Sequence, residues 1–140
     1  MKDKLKFIIF EGVDKAGKTT IHKLFDKKTE YKYLTCDRLF LTYLAYCKRY
    51  NRPINHDIFN WVNDRRVVIV YLMADESELN KRYFESGHEK IDVKKDKKSF
   101  MLSIDIFKSH KVKILKIDTA DKTPEETVNE IIKLIGDDKK

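Results

Sequence analysis

Phe7-Ile8-Ile9-Phe10-Glu11-Gly12-Val13-Asp14-Lys15-Ala16-Gly17-Lys18-Thr19-Thr20 is the stretch around which the chain is organised. The apolar run from Phe7 to Phe10 predicts a buried strand. Gly12-x-x-x-x-Gly17-Lys18-Thr19 then fits the phosphate-binding loop (Walker A) pattern at every fixed position. The spacing has a physical reason. Gly12 and Gly17 let the backbone, with Val13, Asp14, Lys15 and Ala16 between them, wrap closely round a phosphate with N–H groups turned inward, and the following helix adds the positive end of its dipole. Lys18 supplies a point charge to the β- and γ-phosphates, the Thr19 hydroxyl is placed to ligate Mg²⁺, and Thr20 follows it among the phosphate-side residues. A plain Gly-containing turn is the competing reading, disfavoured because a strand pattern precedes and a helix pattern follows. Only four glycines occur in the chain, and two are spent here.

The remaining composition sets bounds. At 140 residues the chain suits one domain, 1–140, with a real core. Charged residues make up 38% and hydrophobic ones 41%, the profile of a globular protein with a heavily charged surface. No apolar run reaches membrane-spanning length and Met1-Lys2-Asp3-Lys4 leads into a strand, so the expectation is a cytoplasmic protein without a membrane partner. Cys36 and Cys47 lack metal-type spacing and are expected to be small buried residues. The net charge of +7 suits anionic ligands such as nucleotides and leaves nucleic acid as a less favoured partner, because the excess is spread from Lys2, Lys4 and Lys6 through Lys94–Lys98 to Lys139-Lys140.

Taken in order, Thr19 to Lys28 carries Ile21, Leu24 and Phe25 at helical spacing, with His22 expected to be structural or exposed and without an evident partner. Tyr31 to Cys36 predicts a strand ending at Asp37-Arg38, and the carboxyl edge of such a strand is where open α/β sheets bind ligands. Asp37 suits a metal-water contact, and Arg38 suits bidentate grip of an acceptor phosphate; a surface ion pair is the bland alternative. Leu39 to Tyr50 predicts a helix. Asn55 is expected to cap another reaching about Asp64, with Ile58, Trp61 and Val62 on its buried side. Val67 to Met73 is continuously apolar, as a strand buried on both faces of a parallel sheet is. Asp75 and Glu78 form a capping-box pattern for a helix with Leu79, Arg82 and Tyr83. Ser86 to Lys90 breaks it, the basic run Lys94–Lys98 follows, and a helix with Phe100, Met101, Ile104 and Phe107 comes next. Val112 to Ile117 is the last strand and Thr123-Pro124-Glu125-Glu126 starts the closing helix. The order β-α-β-α-α-β-α-α-β-α predicts an α/β fold of three layers, a parallel sheet of about four strands flanked by helices, with no repeat and no linker.

Four segments in this order resemble the thymidylate kinase branch of the nucleoside monophosphate kinases, within the P-loop kinase superfamily. They are Phe10 to Thr20, with its acidic residue before the loop and aspartate inside it; Asp37-Arg38-Leu39-x-x-Thr42-x-x-Ala45-Tyr46; Tyr71-Leu72 through Asp75-Glu76, Arg82 and Gly87-His88-Glu89-Lys90-x-Asp92; and Ile117-Asp118-Thr119-Ala120 with the Thr123 helix start. The resemblance implies ATP and Mg²⁺ as cofactors and a nucleotide as substrate. By the same resemblance Lys18 and the loop amides hold the donor phosphates, Lys15 sits against the γ-phosphate, and Asp14 meets the acceptor sugar's 3′-hydroxyl. Arg38 binds the acceptor phosphate, Asp37 organises Mg²⁺ water, Thr42 and Tyr46 line the acceptor side, and Arg82 and Ala120 lie at the adenine. A short lid is implied around 82–98.

The pattern departs from that branch between the first helix and Asp37. A further strand and helical segment, with an Arg-Glu-Pro stretch, is missing there, so half of the usual acceptor pocket is unaccounted for. Leu39 also replaces an aromatic residue and Thr42 a serine. The first reading is ATP-dependent phosphorylation of a (deoxy)nucleoside monophosphate, dTMP-like, to the diphosphate. The second is a polynucleotide or nucleoside 5′-hydroxyl kinase, and the third a nucleotide-binding module without turnover. A homodimer is left open.

Overall fold

A computed structural model describes residues 5–12, 17–74, 81 and 93–136. Strand β1 (Phe7–Glu11) is followed by helix α1 (Lys18–Lys28), β2 (Leu34–Asp37), α2 (Phe40–Arg49), α3 (Ile58–Val62) and β3 (Val67–Met73). Beyond the segment that lies outside the described residues come α4 (Val93–Phe107), β4 (Lys113–Asp118) and α5 (Pro124–Gly136).

The four strands form one parallel sheet in the order β2-β1-β3-β4. The two most apolar strands therefore lie in the middle, as burial on both faces requires. Ile8, Ile9 and Phe10 of β1 and Ile69, Val70 and Leu72 of β3 have no exposed surface, and each such side chain contributes about 1.5–3 kcal/mol through burial. Parallel neighbours need crossovers, and right-handed crossovers fix the layers. The step from β1 out to β2 places α1 on one face. The steps back over β1 to β3 and on to β4 place α2 and α4 on the other. The packing agrees, since α1 lies against α5 and α2 against α4. This is the expected three-layer α/β architecture.

The closing helix begins as its sequence predicts. Glu126 N–H donates to Thr123 Oγ1 at 3.1 Å, and Thr123 N–H donates to Glu126 Oε1 at 3.0 Å, a reciprocal cap. Among the described residues no helix is long and apolar enough to cross a membrane.

Several expectations are corrected. The second strand starts at Leu34, because Glu30 and Tyr31 adopt φ of 54° and 58° and Tyr31 N–H donates back to Asp26, so Tyr31 belongs to a left-handed turn that ends α1. Asn55 does not cap α3 directly. Its Oδ1 accepts from Asp57 N–H in a turn, and the helix begins at Ile58 and stops at Val62. Trp61 is 67% exposed rather than core: Ile58 and Val62, four residues apart, already define the inward stripe, and Trp61 lies well round the helix from Val62. Lys94–Lys98 is not a polar stretch before a helix but the opening turns of α4. Cys47 is buried as expected, but Cys36 only half so, and burial followed by the nearby Glu11 and Asp37 charges pushes its thiol up to about 11.

Candidate active site

Strand β1 ends at Glu11, and Gly12 turns the chain off the sheet with φ of +147°, a region open essentially to glycine. A Cβ there would lie 2.6 Å from the Leu72 carbonyl oxygen, so the close approach of the loop to β3 also demands Gly. Gly17 sits in the left-handed region, φ 91°, and its carbonyl accepts from Ile21 N–H at 3.0 Å to open α1. Among the described residues no side chain caps that helix and no acid occupies its first turn, so its N-terminal amides keep their partial positive charge uncompensated by this helix's own side chains. Lys18 is buried, while Thr19 and Thr20 are exposed in the same turn. Val13, Asp14, Lys15 and Ala16 lie outside the described residues, as do Arg82 and the 86–92 segment.

Gly12→Ala is expected to destabilise the protein by about 2–3 kcal/mol, because backbone rather than a flexible side chain opposes the new methyl. Thermal unfolding with and without ATP checks this: the melting temperature should fall, and the rise on adding ATP should shrink.

The neighbouring strand brings the second half of the site. Phe10 pairs with Asp37 across β1 and β2, and Arg38 N–H donates to the Phe10 carbonyl at 2.8 Å, so Asp37 and Arg38 emerge beside the start of the loop. Arg38 takes a left-handed φ of 59°, a conformation that a non-glycine residue holds at a cost. Its Nη1 donates to Tyr46 Oη at 3.1 Å, which aligns the guanidinium with the outer side of α2. Thr42 is not turned to the cleft: it is buried and its hydroxyl donates to Glu11 Oε1 at 2.6 Å. On the far side Thr119 N–H and Oγ1 both donate to the Met73 carbonyl, at 2.8 and 3.0 Å, and Ala120 N–H donates to Asp118 Oδ1 at 2.9 Å. The loop containing Ala120 is thereby fixed at the carboxyl end of β3.

Two functional groups escaped the sequence reading. Glu11 is fully buried and acts as the missing N-cap of α2: Leu41 N–H donates to Oε2 at 2.5 Å, and Thr42 N–H reaches both oxygens at 3.3 Å. Leu39, at the cap position, supplies no side-chain bond of its own. One carboxylate thus ties the residue before the loop to the helix that carries Tyr46. Burial pushes the Glu11 carboxyl above the usual range, opposed by donors from Thr42, Leu39 and Leu41. With Glu11's charge as a secondary cause, burial also pushes the Tyr71 phenol up to about 12. The sequence signals were a carboxylate ending an apolar strand and its match to the acidic residue before the loop in the resembled family, and neither names α2 as what it caps.

His22 is the second. Far from lacking partners, its Nδ1 lies 2.9 Å from Asp37 Oδ1, and its Nε2 lies 2.7 Å from Thr35 Oγ1 and 3.1 Å from Asp26 Oδ2. The ring stacks on Phe10 at 4.9 Å. A carboxylate only accepts, so Nδ1 carries a hydrogen and orients Asp37 from α1. The sequence left His22 as structural or exposed, because helical spacing alone cannot name what the strand offers it.

Comparison with known proteins bears on the fold. No protein-family model matches the chain. A Thermococcus gammatolerans protein named "Putative adenylate kinase" is 24% identical over 151 residues, spanning 91% of this chain and 84% of that one. The crystal structure of Bacillus subtilis YorR protein in complex with phosphorylated GDP superposes with a TM-score of 0.77 at 21% identity, covering 94% of this chain and 96% of YorR. Candida albicans thymidylate kinase superposes with a TM-score of 0.61 at 15% identity, over 97% and 93%. The chain has the P-loop kinase fold. Open α/β sheets bind ligands outside the carboxyl ends of their strands, and the Asp37-Arg38 pair lies at the carboxyl end of β2 beside β1.

Proposed function

We propose that this protein is a single-domain, cytoplasmic kinase that transfers the γ-phosphoryl group of ATP to a (deoxy)nucleoside monophosphate. The observation that carries the reading is Arg38: held in a left-handed conformation at the end of β2, one strand from the phosphate loop, with its guanidinium aligned by Tyr46. A stored backbone cost at that place suits a residue selected for where its side chain goes.

In this reading Gly12 to Thr20 hold the donor phosphates, with Lys15 and Lys18 as cations and Asp14 toward the acceptor sugar. Arg38 pairs with the acceptor phosphate while Tyr46 packs beside it, and Arg82 and Ala120 flank the adenine. An acceptor phosphate oxygen attacks the γ-phosphorus as the bond to the β–γ bridging oxygen breaks, and no side chain is needed as nucleophile. Positioning and charge do the work. Mg²⁺ fits the donors present: Thr19 offers an exposed hydroxyl, and Asp37 keeps one carboxylate oxygen beyond the one facing His22, both hard oxygen ligands. When bound, it neutralises charge on the β- and γ-phosphates. Thr42 acts through Glu11 rather than on the acceptor.

The fold likeness to thymidylate kinase supports dTMP as one acceptor, and the guanine nucleotide in YorR supports testing GMP and dGMP beside it. The test offers labelled ATP and Mg²⁺ with each nucleoside monophosphate, each nucleoside and a 5′-hydroxyl oligonucleotide. Transfer to a monophosphate, abolished by Lys18→Ala, is the expected result. Transfer only to hydroxyl acceptors, or ATP binding without transfer, overturns the proposal.

A further inference from the structure

We infer that the outer face of α2 is a binding surface for single-stranded nucleic acid, beginning at Arg38. The inner face of this helix is spent on the core, with Leu41, Leu44 and Ala45 fully buried. Leu39, Tyr43, Tyr46 and Tyr50 follow each other at steps of four, three and four residues, so they share the opposite face. Their exposures are 39, 37, 43 and 60%. Tyr43 has a structural task, accepting from Asn55 N–H at 2.8 Å. Tyr46 accepts from Arg38 and meets Tyr50 edge to face, and those contacts still leave the two residues 43 and 60% exposed.

Their surroundings say what the surface fits. Tyr46 and Tyr50 meet edge to face at 6.1 Å, Arg38 donates to Tyr46, and the Arg49 guanidinium lies 5.7 Å over the Tyr50 ring. The result is a track in which two aromatic rings lie between two guanidinium groups, in the order Arg38, Tyr46, Tyr50, Arg49. From Arg38 to His56 the chain contains Arg38, Lys48, Arg49 and Arg52 and no Asp or Glu, in a protein where acids are otherwise common. Unpaired bases stack on aromatic faces and their phosphates seek arginine, so a single strand satisfies both halves of the track. A second copy of this chain satisfies neither. Placing the same face against itself would bring two cationic, acid-free segments together. A duplex also fits poorly, because its bases are already stacked on each other.

The surface stands independently of which acceptor the kinase uses, and its test does not involve phosphoryl transfer. Fluorescence anisotropy of a labelled twelve-residue oligothymidylate is measured with the full chain at low salt, beside a duplex of equal length. The expected result is binding of the single strand in preference to the duplex, weakened about tenfold by Tyr50→Ala. Arg49→Ala should weaken it and flatten the salt dependence by roughly 0.7 in the log–log slope, the share of one single-strand phosphate. Lys133→Ala, exposed on α5 against the other face of the sheet, should change little. Equal binding of single strand and duplex, or affinity unchanged in Tyr50→Ala, overturns the inference. So does sedimentation showing a dimer of the free protein that Tyr50→Ala dissolves, since the face then belongs to a second copy. Circular dichroism of each variant separates loss of the surface from loss of the fold.

Discussion

Glu11→Ala is expected to lower the unfolding free energy by about 3–5 kcal/mol, a drop of about 10–17 °C in melting temperature for a chain of this size. The substitution strands the Leu41 and Thr42 amides and the Thr42 hydroxyl in the interior and removes the one side-chain cap that the described residues give that end of α2. Each buried donor without an acceptor costs about 1–3 kcal/mol. Thermal and urea unfolding measure the loss. Glu11→Gln separates charge from hydrogen bonding, because it keeps one accepting oxygen. Burial raises the Glu11 pKa in the native state above its unfolded value, so its contribution is largest below the ordinary carboxylate range and declines as pH rises through the native pKa. The stability margin of wild type over Glu11→Gln should therefore narrow on going from acid toward neutral pH. A margin that widens instead shows that the donors from Thr42, Leu39 and Leu41 outweigh desolvation.

Arg38→Ala is expected to reduce phosphoryl transfer by about 10²–10³-fold, the loss that follows removal of one aligned donor to developing charge. ATP affinity, read by calorimetry, should stay within about twofold, since the loop is intact. Arg38→Lys should recover little, because an ammonium supplies a point charge without the fork that grips two phosphate oxygens. Arg38→Gly is the informative companion. With φ at 59°, glycine relieves backbone strain, so stability should hold or rise while transfer falls as far as in Arg38→Ala. A parallel loss of stability and activity in all three would show that the residue holds the fold rather than the acceptor.

Which features were legible in the sequence follows from what a linear pattern encodes. The continuous apolar runs of β1 and β3 announce burial on both faces, and the sheet places them at its centre. The glycines flanking the loop motif and the Asp37-Arg38 strand end depend on local backbone geometry, and Gly12, Gly17 and Arg38 each take a positive φ there. Pairings between elements are different. Glu11 and Thr42 are thirty-one positions apart and His22 and Asp37 fifteen, and neither contact leaves a periodic trace. Tyr31 has strong strand propensity, yet the return of the chain from α1 to the sheet claims it for a turn. Trp61 fails for a related reason: a helix of five residues buries too narrow a stripe to take in every apolar side chain.

The strand order carries a consequence for handling. Among the described residues β2 and β4 each pair with one strand only, so both flanks of the sheet are edges at which another molecule could add a strand. Leu34, more than half exposed, sits on one such flank; Lys113 and Lys116 lie along the other. Mutual repulsion from the +7 charge keeps molecules apart in dilute buffer. Concentrated stocks in high salt shorten the reach of that repulsion to a few ångströms, and fibrillar self-association through the Leu34 flank is the failure to watch for.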